Sequence, residues 1–252
     1  MTQALTDLLK HPAIWRVGQV PASVRPCLPT GFAALDRVLP AQGWEQGSMS
    51  EILANEQGIG ELSLLVPALR QCTLQGRNVV LVAPPYVPFP HAWESSGIAL
   101  SHVLLVRAEG ADLLWAIEQA ARSSSCGMVI GWTATCRKEL NYQALRRLQV
   151  AADKGGAALF LFRAESARDE ASPAPTRLSV NSKLGELHLR VFKRRGALLV
   201  ETIRANTFPE HWRRRTVEAI EAAAKRNDAA HGAGVLVPLN SLSPKRRISA
   251  SR

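Results

Sequence analysis

The chain has 252 residues, 46% hydrophobic and 21% charged, a balance that fits one large α/β domain or two small ones and excludes a disordered or fibrous protein. No apolar run approaches the roughly 20 residues needed to cross a bilayer, which argues against a membrane role. The net charge of +10 is concentrated: residues 190–252 hold 14 Lys and Arg against 5 Asp and Glu, whereas residues 1–189 hold 17 against 16. A basic end on a near-neutral body points to an attachment surface for nucleic acid or an acidic protein. The opening MTQALTDLLKHPAIW lacks a basic start, apolar core and cleavage site, so a cytoplasmic location is expected. Cys27, Cys72, Cys126 and Cys136 are widely spaced with no CxxC pair, which disfavours a disulfide scaffold and a zinc site.

In chain order, β-rich runs occur at Met49–Leu53, Asn78–Ala83, Val103–Val106, Met128–Trp132, Ala157–Phe162, Leu187–Phe192 and Ala197–Ile203. Helical periodicity fills the intervals Leu62–Gln75, Ala111–Arg122 and Leu140–Lys154, with a short piece near His91–Gly97. Strands such as NVVLVA and ALFLF are apolar throughout, as when helices cover both faces of a sheet. The β-α alternation predicts a three-layer α/β/α fold with a mainly parallel central sheet. The last two strands read as an antiparallel edge hairpin. Glu165–Arg177 (ESARDEASPAPTR) is polar, Pro-bearing and aperiodic and reads as a mobile loop. Pro209–Asn227 reads as a helix carrying Arg213, Arg214 and Arg215, and the segment from Asp228 as an extended tail. The expected organisation is an N-terminal extension (1–28), a core (29–207) and a basic C-terminal helix and tail (208–252).

In such a sheet the loop after the first strand is where a nucleotide's phosphates bind. That loop needs glycines to curl backbone N–H groups around the phosphates, a Lys for their oxygens and a Ser or Thr for Mg²⁺. Here the strand leads into ANEQGIGELS, residues 54–63, with Gly58 and Gly60 retained. The Lys is missing, and Gly60 or Glu61 stands in its place. A carboxylate there opposes a triphosphate.

The run Thr30-Gly31, Leu35-Asp36, Leu39, Gly43, Gly47 and Glu51-Ile52 resembles, in ungapped register, the run leading into the phosphate loop of RecA. The likeness extends from about Thr30 to Val200. It puts Pro85 where RecA carries its water-activating glutamate and Gly131 near its Mg²⁺-orienting aspartate. A RecA-like body of this length, without the ATPase residues and with a basic end, resembles the ImuA family. That resemblance implies a non-catalytic accessory role in DNA-damage-inducible translesion synthesis. It implies partnership with an ImuB-like polymerase homologue and RecA, indirectly with a DnaE-type polymerase, and a place on the nucleoid. It implies no cofactor, no metal and no catalytic residue. Two alternatives stand beside it. One is a SulA-like inhibitor acting on the tubulin-like division protein; the other is a DNA-dependent ATPase.

The candidate contact residues are basic: Lys193, Arg194 and Arg195; Arg213, Arg214 and Arg215; Lys245, Arg246 and Arg247. These runs lack the compensating acids of an ordinary solvated face, and suit a protein partner or DNA phosphates. Gly58 and Gly60 also suit a plain strand-to-helix turn. Trp44, Trp93, Trp115 and Trp132 fall on different elements, which favours core or interface anchoring over a stacking platform for single-stranded DNA. His91, His102 and His188 have no metal spacing. Asp36 is expected to make local hydrogen bonds.

Overall fold

A computed structural model describes residues 25–134, 136, 140–183, 186–196 and 202–205. It opens with β1 (Cys27–Leu28), α1 (Ala33–Val38) and β2 (Trp44–Glu45), and β1 and β2 form a small antiparallel pair. Asp36 works locally, as expected: its Oδ1 accepts from the Thr30 N–H at 3.0 Å and so ties α1 to the strand before it.

The main elements follow as β3 (Met49–Ala54), a 3₁₀ turn (Glu61–Leu65) running into α2 (Val66–Leu74), β4 (Asn78–Val82), α3 (Pro90–Ser95) and β5 (Val103–Val106). Then come α4 (Gly110–Arg122), β6 (Cys126–Trp132), α5 (Tyr142–Gly155), β7 (Ala158–Ala164), β8 (Thr176–Lys183), β9 (Glu186–Lys193) and β10 (Thr202–Ala205). The eight long strands form one sheet in the order β10-β9-β8-β3-β7-β6-β4-β5. Strands β3 to β8 are parallel; β9 and β10 run antiparallel at the edge.

Right-handed crossovers dictate which face each connection covers. From β3 to β5 the chain moves toward one edge and its helices lie on one face. On that face Ile52, Leu81, Ile130 and Phe160 pack with Leu64, Leu65 and Leu69. From β5 to β7 it moves back, so α4 and α5 lie on the other. There Met49, Val80, Val129 and Leu159 pack with Leu113, Ile117, Leu145 and Leu148. Strict alternation along the central strands feeds both clusters, which is why these strands read as continuously apolar. Each fully buried Leu or Ile contributes about 1.5–3 kcal/mol. Asn141 caps α5 by accepting from the Ala144 N–H at 2.9 Å.

The helices thus lie on both faces of a mixed α/β sheet that is mostly parallel with an antiparallel edge. Two readings are corrected. The antiparallel edge joins the parallel strands through β8, a strand whose polar TRLSVNSK conceals it. Glu165–Arg177 is not an open loop: Ala167, Ser172, Ala174 and Arg177 are buried. This segment carries the chain from β7 across to β8 and packs on Glu51, beyond the Met49 end of β3 that α5 covers.

Its packing is ionic rather than apolar. Glu51, wholly buried, shares the face of Met49. Its carboxylate accepts from Arg177 Nε at 2.6 Å, Ser172 Oγ at 2.6 Å and Arg163 Nη1 at 3.1 Å. Arg163 also meets Glu170 at 2.6 Å, and Arg177 donates to the carbonyls of Ala167, Arg168 and Glu170. Polarity here reports a buried network, and composition cannot distinguish that from exposure. The expected strand Ala197–Ile203 begins at Thr202 among the described residues, and 197–201 lie outside them. The expected N-terminal extension falls almost entirely outside the described residues, as do the C-terminal helix and tail.

Candidate functional site

At the carboxyl ends of β3, β6 and β7 lies a cleft of about 530 Å³. Parallel sheets present their ligand sites at this end. Its walls include Asn55, Glu56 and Glu61 from the segment after β3, Tyr86 from the loop after β4, and Trp132, Phe162 and Arg163 from the strand ends.

The loop at 54–60 turns through Gly60, whose φ of +92° is a left-handed conformation that L side chains rarely adopt. Glu61 follows at the start of the 3₁₀ turn and is 6% exposed. Its Oε1 accepts from the Gly58 N–H at 3.2 Å, while its Oε2 is buried without a partner. The chain's own carboxylate thus occupies a backbone donor of the kind a phosphate would use. Pro85 is exposed on the loop after β4. Gly131 sits inside β6, and a Cβ there would lie 2.4 Å from Ile117 Cδ1, so this position has no room for a carboxylate.

Trp132 stacks on Phe162, ring centroids 5.1 Å apart and planes 19° from parallel. Its indole Nε1 is buried and, like Glu61 Oε2, unpartnered. Arg163 also lines the cleft, but its guanidinium is held by Glu51 and Glu170. Beside the cleft, the loop after β4 exposes Tyr86, Val87 and Phe89. Sequence reasoning passed over these residues. The signal was the PPYVPFP run, in which prolines hold an apolar segment out of regular structure.

The described basic residues do not gather into one free patch. Lys193 Nζ donates to the Ser172 carbonyl at 2.6 Å, Arg194 donates to the Val38 carbonyl, and Arg195 meets the Glu45 carboxylate at 3.1 Å. Burial, with Arg177 nearby, holds the Lys193 ammonium below its usual pKa, and Glu51 partly offsets this. Arg213, Arg214, Arg215, Lys245, Arg246 and Arg247 lie outside the described residues. Trp44, Trp93 and Trp132 are buried anchors, whereas Trp115 is 64% exposed on α4. His91 faces Glu94 and His102 faces Asn78; no cluster of His, Cys, Asp or Glu with metal-site geometry occurs among the described residues. No helix among them is long and apolar enough to cross a membrane.

The family model described as cell division inhibitor SulA matches residues 47–159, which run from the strand before the 54–60 loop into β7. A cell division inhibitor SulA of Citrobacter koseri is 30% identical over 140 residues, 55% of this chain and 81% of that protein. A SulA of Serratia proteamaculans is 28% identical over 48% of this chain and 70% of the relative, and one of Photorhabdus laumondii 32% identical over 45% and 63%. These findings overturn the ImuA resemblance. With it fall the translesion-synthesis, mutagenesis and repair role and the ImuB-like, RecA and DnaE-type partners that it implied. The basic end and the chain length weigh against a SulA-like inhibitor, yet the family match lies in residues 47–159, outside that end. The matched relatives are named as inhibitors and not as enzymes. The chain belongs to the SulA family of cell division inhibitors.

Proposed function

We propose that this protein arrests cell division as part of an SOS-type response, by docking on the tubulin-like division protein and without turning over nucleotide. The observation that carries this reading is its 30% identity to a division inhibitor over 81% of that relative's length. The scaffold reads as an α/β body turned to binding: Gly60 or Glu61 stands where a phosphate-binding Lys is needed, and Gly131 is packed against Ile117. The Gly58–Glu61 hydrogen bond supports loss of phosphate affinity, since a triphosphate would have to displace a buried carboxylate. The basic positions at 213–215 and 245–247 keep the role of an auxiliary contact surface.

Expression of the full chain in a bacterium is expected to give long, undivided filaments, with nucleoids segregated and no change in DNA content per unit length. Normal division in cells that accumulate the folded protein refutes the reading. Purified protein should also slow assembly of the tubulin-like protein without hydrolysing ATP. A steady turnover abolished by Glu61→Ala would restore the ATPase alternative.

A further inference from the structure

Two residues that line the same cleft each carry a buried polar atom without a partner: the acceptor Glu61 Oε2 and the donor Trp132 Nε1. Glu61 is 6% exposed and Trp132 5%, so bulk water satisfies neither well. Buried groups left in this state carry a desolvation penalty that a complementary ligand removes. The charge of the cleft is equally specific. Its ionisable walls include Glu56, Glu61 and Arg163, and Arg163 is neutralised by Glu51 and Glu170. On a chain of net charge +10, the cleft is therefore acidic. Three aromatic side chains, Tyr86, Trp132 and Phe162, complete it.

We infer that this cleft binds an arginine side chain presented by a partner protein. Small rotations of the two side chains open Glu61 Oε2 to the guanidinium among the aromatic rings and Trp132 Nε1 to a main-chain carbonyl of the same segment. Arginine fits better than lysine because its planar, weakly hydrated fork stacks on aromatic rings while donating to a carboxylate. The volume of about 530 Å³ exceeds one side chain and leaves room for the adjoining backbone. The neighbouring exposed Tyr86, Val87 and Phe89 suit a protein surface rather than a free metabolite. A nucleotide would bring phosphate charge against two carboxylates. The inference rests on the reading that the protein acts by docking on another protein, and it names the chemistry of that contact.

The test uses the full chain with ¹⁵N-labelled tryptophan, the Trp132 indole resonance being assigned by its loss in Trp132→Phe. N-acetyl-arginine methylamide is the probe, and the neutral citrulline and the lysine derivatives are controls. The arginine probe is expected to shift the Trp132 indole with millimolar affinity, as befits a single side chain. Citrulline should bind about tenfold more weakly or not at all, and Glu61→Gln should lose about tenfold for arginine. Tyr86→Ala, a change on an exposed loop that leaves the core intact, should weaken binding severalfold. Absence of any shift, an equal response to citrulline or lysine, or a shift produced by ATP instead overturns the inference. Filament formation is scored without these probes, so failure here leaves the division-inhibitor reading standing, and failure of filamentation leaves this titration interpretable.

Discussion

Replacing Glu51 by Ala is expected to be among the most damaging single changes in the described body. Glu51 is wholly buried, and its two oxygens receive three hydrogen bonds, from Arg177 at 2.6 Å, Ser172 at 2.6 Å and Arg163 at 3.1 Å. Charge-assisted bonds of this kind contribute about 1.5–3 kcal/mol each against a desolvation penalty of several kcal/mol for each ion. The net worth of the intact network is therefore small. Truncation is different, because it leaves the Arg177 guanidinium, whose side chain is 5% exposed, with carbonyl acceptors but no carboxylate, and leaves Arg163 with Glu170 alone. Breaking a buried pair in this way costs about 3–5 kcal/mol, a large share of the roughly 5–15 kcal/mol that holds a domain folded. Urea unfolding followed by circular dichroism measures the loss, and limited proteolysis locates it. The wild-type segment 165–177 should resist cleavage, and Glu51→Ala should open it first. Because the penalty comes from stranded charge, the triple variant Glu51→Leu, Arg163→Met, Arg177→Leu should recover much of the stability. A Glu51→Ala protein within about 1 kcal/mol of wild type, a difference typical of surface changes, would refute the assignment of this face to an ionic core.

Four further outcomes are expected. Gly131→Asp should prevent folding or lower stability by more than about 3 kcal/mol, because its carboxylate would be forced against Ile117 between buried layers; thermal unfolding reads this directly. Asn141→Ala should cost about 1 kcal/mol through loss of the α5 cap, with no change in the fold. Burial pushes the Cys72 thiol from 9.0 up to about 11, so the folded protein keeps a proton that the unfolded chain releases. That contribution is complete below pH 9.0 and is lost as pH rises through about 11, so wild type should lose stability more steeply over this window than Cys72→Ala. Alkylation at neutral pH should label Cys27, which is exposed, well before the buried Cys72, Cys126 and Cys136.

Much of the body was legible because its central strands obey one rule. NVVLV, CGMVIGW and ALFLFRA are buried on both faces, and between them α4 and α5 carry one apolar stripe each. Periodicity reports such elements well. It failed at β8, where Leu178 and Val180 are the only large apolar residues in a polar run, and at the segment before it, where burial is achieved with Arg177, Ser172 and Glu51. The cleft was half legible. The loop after β3 was found from Gly58, Gly60 and Glu61, but Trp132, Phe162 and Arg163 reach it from strand ends distant in sequence. Tyr86 reaches it from a proline-rich loop with no periodic pattern. The family was misread because the features weighed most, a degraded phosphate loop and a basic end, describe a scaffold rather than a partner.

The position of Glu61 makes that last point physical. A loop at the carboxyl end of a parallel sheet offers backbone N–H groups to an anion, whatever the protein does. When a Lys supplements those donors, the site is built for phosphate. In this chain the side chain at the start of the following turn is a carboxylate, and one of its oxygens takes the Gly58 N–H itself. The donor is thereby satisfied internally, and the remaining oxygen turns the same cleft toward cations. A single change of charge thus converts an anion cradle into a cation site without altering the strand order or the crossover helices. Glu61→Lys would reverse the sign of the cleft but leave Gly131 and Pro85 in place. It should gain phosphate or nucleotide affinity without hydrolysis, and it should lose response to the arginine probe. Equilibrium binding of ATP with a parallel turnover assay separates these effects. An unchanged arginine response in a folded Glu61→Lys protein would show that the sign of this position does not govern what the cleft accepts.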